Sequence, residues 1–142
     1  MKDQSAIAKP SFDGAILLLI SEPVVRLVMR EVLDHVGYLV MATGDVGTAV
    51  ERINESKPDL LIVSPYVDSI TGYAAAKYLR THCPGMHVLM VAGLLADDRL
   101  QNRAELERFD IFPEPFTASQ LLKKVAEIIH APLPGSGTLS HP

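Results

Sequence analysis

Five short apolar runs, separated by helical stripes, constrain this chain more than any other feature. Ala15–Ile20, Leu60–Val63 and Val88–Ala92 are apolar at successive positions. A strand covered on both faces reads in this way, so these three belong in the middle of a sheet. Tyr38–Ala42 and Phe109–Pro113 complete the set. Between the runs, apolar residues recur at helical spacing: Val25, Val28, Met29, Val32 and Val36 in a first helix, then Val46, Ala49, Val50 and Ile53 in a second. Third and fourth helices near Gly72–His82 and Asp97–Glu107 are less regular. The last helix, about Ala118 to His130, carries Leu121, Leu122, Val125, Ile128 and Ile129 on one stripe and takes Thr117 as its cap.

Strict alternation of strand and helix implies a parallel sheet with right-handed crossovers and helices on both faces. The expected fold class is therefore α/β, an open five-stranded parallel sheet. The 142 residues suit one domain, placed at 14–130. The ends, 1–13 and 131–142, are rich in Ser, Pro and Gly, lack periodicity and read as flexible tails. A hydrophobic content of 48% against 21% charged residues supports a packed core and not a disordered segment.

Composition also bounds the partners. A net charge of −4 with no basic run argues against nucleic acid, whose phosphates are held by Lys and Arg. The longest apolar stretch, Ala15 to Ile20, is far short of the roughly 20 residues of a membrane helix. The opening residues Met1 to Gln4 carry no apolar export segment, so the expected location is the cytoplasm. Cys83 is the single cysteine and excludes an internal disulfide or a cysteine metal site; it reads as a small residue closing a helix before Pro84. His35, His82, His87, His130 and His141 show no ligand spacing and read as surface residues.

In an open parallel sheet, ligands bind beyond the carboxyl ends of the strands, where strand order reverses. Ile20, Ser21 and Glu22 follow the first strand, Ser64 and Pro65 the third, Ala92 and Gly93 the fourth, and Glu114 and Pro115 the fifth. Here the chain resembles the receiver domains of two-component response regulators, over about Ala15 to Ile129. The run Ile16 to Pro23 resembles the family's opening strand with its acidic pair, Glu and Pro. Pro58 to Val63 resembles the approach to the phosphorylated aspartate, and Gly72 follows Ser64 at the family's spacing to its loop glycine. Val88–Gly93, Pro115-Phe116 and Gly37-Tyr38 match as well. The resemblance implies a flavodoxin-like, CheY-like fold and a role in signal transduction.

The departures from that pattern are as informative. Ile20 and Ser21 stand where the resemblance implies a Mg²⁺-holding pair of acids, with Glu22 following. Ser64 occupies the acceptor aspartate's place, Ala92 that of the phosphoryl-contacting Thr or Ser, and Glu114 that of the lysine. Ile111 stands where an aromatic switch residue is usual. Mg²⁺ is a hard cation that needs carboxylates; an isoleucine supplies no ligand and a serine only a neutral hydroxyl. A serine nucleophile needs a base, and the matched pocket contains no histidine. Glu114 and Glu22 would repel a phosphoryl dianion. Glu22 and Glu114 could also be read as a pair of metal ligands, but two carboxylates without a third charged ligand hold Mg²⁺ or Ca²⁺ poorly.

Other candidates have plainer explanations. Asp59 sits at the opposite end of its strand from the pocket, which gives it a structural role. Asp68 and Thr71 lie in the loop after Ser64, and Asp68 reads as a solvated loop residue. Thr43 to Gly47 loosely resembles a phosphate-binding turn, yet Asp45 as a helix cap accounts for it. No Gly-x-Ser-x-Gly elbow and no Walker-type loop occurs, so the chain is not read as an enzyme, and no cofactor or metal is expected.

The reading is a pseudo-receiver that docks a protein partner without an aspartyl-phosphate switch. The resemblance implies a partner face made by the fourth helix, fifth strand and fifth helix, about Asp97 to His130, which receivers also use to form homodimers. The partner would be a signalling kinase, a regulator or an output protein. Leu94, Leu95 and Leu100 near its start are candidates for a contact patch or for simple packing. Two alternatives remain. One is a small-molecule or nucleotide sensor using Ser21, Ser64 and the amides near Gly93; the other is a residual phosphoacceptor at Ser64 or Asp68 in a phosphorelay.

Overall fold

Every strand of the central sheet runs parallel to its neighbours, and the order in which they pair places the site. The computed structural model describes residues 13–93 and 98–130. In chain order the elements are β1 (Ala15–Leu19), α1 (Pro23–His35), β2 (Leu39–Thr43), α2 (Val46–Ser56), β3 (Leu60–Val63), β4 (Tyr66–Val67), β5 (Ile70–Thr71), α3 (Gly72–Arg80), β6 (His87–Ala92), α4 (Asp98–Glu107), β7 (Asp110–Pro113) and α5 (Ala118–Ile129). The sheet order is β2-β1-β3-β6-β7. The chain steps from β1 to β2 on one side and then to β3 on the other, so the topological switch point lies between β1 and β3.

The apolar runs form central strands because each side chain, pointing alternately up and down, finds a helix layer. Ile16, Leu18, Leu60, Ile62, Leu89 and Val91 pack with Met29 and Leu33 of α1 and Leu121, Val125 and Ile128 of α5. Leu17, Leu19, Leu61, Val63, Val88 and Met90 pack with residues of α2, α3 and α4 on the other face. From Ile16 to Leu19 and from Leu60 to Val63 no side chain retains any exposure. Full burial of such a residue contributes about 2 kcal/mol, so the two strands hold the sheet together. The three continuous runs are indeed the three interior strands.

Local signals set the helix ends. Asp45 caps α2 by accepting from the Thr48 amide at 2.8 Å, and Thr71 caps α3 by accepting from Ala74 at 3.0 Å. Thr117 does so for α5, and the Gln120 side chain returns the bond to the Thr117 amide, closing a capping box. Gly37 has φ 108°, a conformation glycine adopts without cost, and turns the chain from α1 into β2.

Several boundaries differ from the sequence reading. Tyr38 is buried but precedes its strand, which runs from Leu39 to Thr43. Helix α3 ends at Arg80 and not His82, so Cys83 lies in the following turn, half-buried, and His82 is half-buried with its ring edge-on to Tyr78. Val28 and Val36 are 54% and 43% exposed and leave the core stripe of α1 to Val25, Met29, Val32 and Leu33. The β4–β5 ribbon was not expected at all; it is an antiparallel pair closed by Asp68 and Ser69 at positive φ. The predicted tails lie outside the described residues except Asp13 and so do Leu94, Leu95 and Asp97; the Leu100 side chain is likewise not described. Among the described residues no helix is long and apolar enough to cross a membrane.

Candidate functional site

At the switch point the ends of β1 and β3 and the segment after β7 enclose a cleft of about 190 Å³. It is lined by Ile20, Ser21, Glu22, Val25, Met29, Ser64, Pro65, Tyr66, Val91, Glu114 and Phe116. The sequence places Ser21 and Ser64 far apart, and the parallel pairing of β1 with β3 brings them together. Ser64 is 5% exposed; its Oγ accepts a hydrogen bond from the Ser21 amide at 2.9 Å, and its own amide donates to Leu19 at 3.0 Å.

Ile20 does not face the cleft as a polar residue would. Its side chain is 3% exposed and belongs to the core beneath. Both of its backbone groups are bonded: the amide donates to Thr43 at 3.1 Å, and the carbonyl accepts from Arg26 Nη1 at 2.7 Å. That use of Arg26, from α1, is a feature the sequence reading missed; six residues separate the pair, but the bond depends on how β1 turns into α1.

The loop after Ser64 is held tightly. The Gly72 amide donates to the Pro65 carbonyl at 2.6 Å, and a Cβ on Gly72 would overlap the Ser64 carbonyl oxygen. Only glycine lets α3 begin so close to the end of β3. Asp68 is exposed, as expected, but it is not merely solvated: its carboxylate accepts from the Val46 amide at 2.8 Å and fastens the ribbon to the start of α2. Asp45 beside it has its carboxyl held below the usual range, first by the hydrogen bond from the Thr48 amide and less by the Arg26 charge. Asp59 lies at the other end of the sheet, where it accepts from the Ala15 amide at 2.9 Å, the structural role expected of it.

Glu22 and Glu114 are the two carboxylates of the cleft, and no lysine or arginine lines it among the described residues. Ala92 and Ile111 do not line it. Ala92 is 2% exposed and takes part through its carbonyl, which accepts from the Glu114 amide at 2.8 Å. Ile111 is half-buried and packs on the far face of the sheet with the α2, α3 and α4 cluster. Among the described residues no three His, Cys, Asp or Glu side chains converge as a metal site.

The profile of the response regulator receiver domain matches residues 16–126, from the second residue of β1 into the last helix, α5. The chain belongs to the response regulator receiver domain family. Solved receiver structures share its fold. A response regulator from Chloroflexus aurantiacus J-10-fl superposes with a TM-score of 0.72 at 24% identity, over 86% of this chain and 99% of that one. The chemotaxis protein CheY4 of Vibrio cholerae gives 0.74 at 17% identity, over 83% and 99%. A two-component response regulator from Clostridium difficile gives 0.74 at 17%, over 82% and 96%. No curated protein matches the sequence. Receiver domains are normally phosphoacceptor modules of two-component signalling rather than catalytic enzymes.

Proposed function

We propose that this receiver domain signals without phosphorylation, as a module that docks another protein. The observation that carries the reading is the Ser64 hydroxyl at the end of β3, buried and already accepting the Ser21 amide. An aspartate there would offer a carboxylate for phosphoryl transfer. A neutral serine in a cleft with no histidine to take its proton does not.

The residues around the cleft do not fit Mg²⁺. The ion demands several oxygen ligands with carboxylate charge. Ile20 presents alkyl groups and its carbonyl is engaged by Arg26, while Glu22 and Glu114 have no third acid beside them. The same two carboxylates repel a phosphoryl dianion. The cleft's volume of about 190 Å³ is also below the roughly 300–1,000 Å³ of small-molecule pockets, which favours docking over ligand sensing.

The proposed partner face comprises α4, β7 and α5. Leu106 of α4 is 82% exposed, an apolar anchor of the kind a protein partner covers. A homodimer through this face is one form such docking takes. Mass spectrometry after incubation with acetyl phosphate and Mg²⁺ tests the reading. We expect no gain in mass; a phosphate adduct that disappears in Ser64→Ala would overturn it.

A further inference from the structure

Helix α3 differs from the other helices in charge. From Ser69 to Ala96 the sequence holds no Asp or Glu, although the chain has 17 of them and a net charge of −4. Among the described residues, α3 is the one helix without a carboxylate. It packs between α2 and α4, burying Ala75, Ala76 and Leu79, and leaves Ala74, Lys77, Tyr78 and Thr81 exposed. The i, i+3, i+4, i+7 spacing puts these four on one outward face.

Cations outnumber acids along this face. The ring of Tyr73, half-buried, has Lys77 Nζ 5.9 Å and Arg103 Cζ 5.7 Å from its centre. Arg80 lies over the Phe109 ring, which meets Tyr73 edge-on at 5.9 Å. One carboxylate answers them among the described residues: Glu107, which is 3.5 Å from Lys77 and accepts from the Tyr73 hydroxyl at 3.4 Å. Three cations against one acid leave a positive patch on a negative chain.

Charge and shape together decide the occupant. Lys77 and Arg103 are the exposed cations of the patch, too few to hold the many phosphates of a nucleic acid, and short of the roughly four to eight that a lipid surface takes. Two surface ion pairs alone contribute little, so the occupant must also cover apolar area. Tyr78 supplies it: the ring is 50% exposed and already braced edge-on to His82, with 5.2 Å between centres, so that covering it costs little ordering entropy. Ala74, one turn away on the same face, is small enough for a second helix to come close.

We propose that the outward face of α3 docks an acidic amphipathic helix of a partner protein. Carboxylates of that helix meet Lys77 and Arg103, and its apolar residues lie on Ala74 and Tyr78. The surface is α3 with Arg103 of α4, and it stands whether or not a partner also covers the α4–β7–α5 face.

The test uses the full chain, labelled with ¹⁵N, and synthetic helical peptides of Leu and Glu, of Leu and Lys, and of Ser and Glu. Titration with the Leu/Glu peptide is expected to shift amides of residues 73–82 and 103–109. The paired substitution Lys77→Glu with Arg103→Glu, and separately Tyr78→Ser, is expected to weaken binding about tenfold or more while amides outside the patch keep their positions. Reversing two exposed cations elsewhere, as Arg30→Glu with Lys123→Glu, is expected to leave it unchanged. The Ser/Glu peptide, with the same charge and no apolar residues, is expected to bind more weakly. No saturable shift with the Leu/Glu peptide, comparable binding of the Leu/Lys or Ser/Glu peptide, or equal loss with the Arg30 and Lys123 substitutions would each overturn the proposal. So would the same shifts produced by a single-stranded oligonucleotide or by phosphatidylserine vesicles. None of these outcomes bears on whether acetyl phosphate modifies Ser64.

Discussion

The Asp68 carboxylate accepts a hydrogen bond from the Val46 amide at 2.8 Å, so the tip of the β4–β5 ribbon closes over the first turn of α2. Asp68 also sits at φ 51°, where a side chain with a Cβ is disfavoured. Asp68→Ala therefore loses the cap and keeps the strain, and is expected to cost about 1 kcal/mol. Asp68→Gly loses the cap but relieves the backbone, and should cost less. Urea denaturation of the two variants checks the order; equal costs would show that backbone strain contributes nothing.

Gly72→Ala should be among the most damaging single changes in the chain. The added methyl would overlap the Ser64 carbonyl oxygen, which is main chain and cannot rotate away. Separation requires α3 to move from the end of β3, and we expect a loss of about 2–4 kcal/mol. The midpoint of urea unfolding reads it directly. A loss under about 0.5 kcal/mol, the range of ordinary surface changes, would mean that the helix start yields freely.

Asp45 gives the α2 cap a pH dependence with a definite sign. Its folded carboxyl is lowered from 3.8, chiefly by the Thr48 amide, while in the unfolded chain it titrates at the ordinary value. The stabilisation is therefore present above about pH 3.8 and disappears as pH falls through the lower folded value. Asp45→Asn keeps an accepting oxygen but has no proton to gain. The stability difference between wild type and Asp45→Asn should shrink as pH falls below 3.8; a difference that stays constant down to pH 2 would contradict the assignment.

Arg80 braces the far side of the domain. Its Nε and Nη2 donate to the Met86 carbonyl at 3.1 and 2.9 Å, its Nη1 donates to the Glu107 carbonyl at 2.6 Å, and the guanidinium lies 4.8 Å from the centre of the Phe109 ring. Burial lowers its pKa from the ordinary arginine value, and at neutral pH it remains charged. Arg80→Met keeps the stem and abandons two carbonyls, at an expected cost of about 2–3 kcal/mol. Arg80→Lys keeps the cation over Phe109 but lacks the fork that reaches both carbonyls, so it should fall between wild type and Arg80→Met in thermal unfolding.

Much of the fold was legible because its strongest signals are local. The runs Ala15–Ile20, Leu60–Val63 and Val88–Ala92 are apolar at every position only because helices cover both sides of those strands, and the caps at Asp45 and Thr117 each sit beside the helix they start. The ribbon was illegible for the opposite reason: its strands are two residues long, and its turn places Asp68 and Ser69 at positive φ without the glycine that usually marks such a turn. Val28 was assigned to the core since valine at helical spacing reads as buried, and only the packing of α1 shows that it faces solvent. At the site, Ile20, Ser21, Glu22, Ser64 and Glu114 line one cleft, while Ala92 and Ile111 do not. The bonds that define their surroundings, Ser21 to Ser64 and Asp68 to Val46, join residues 43 and 22 positions apart and follow from strand order rather than from any local pattern.

The Arg26–Ile20 contact has a further implication for how this receiver domain meets cations. An ion seeking the main-chain oxygen at the end of β1 would first have to evict a guanidinium tethered to the same polypeptide, which never diffuses away and so competes at a fixed, high local concentration. The chain thus keeps its own guanidinium on that oxygen, and raising the metal concentration in the surrounding solution has little leverage over that position.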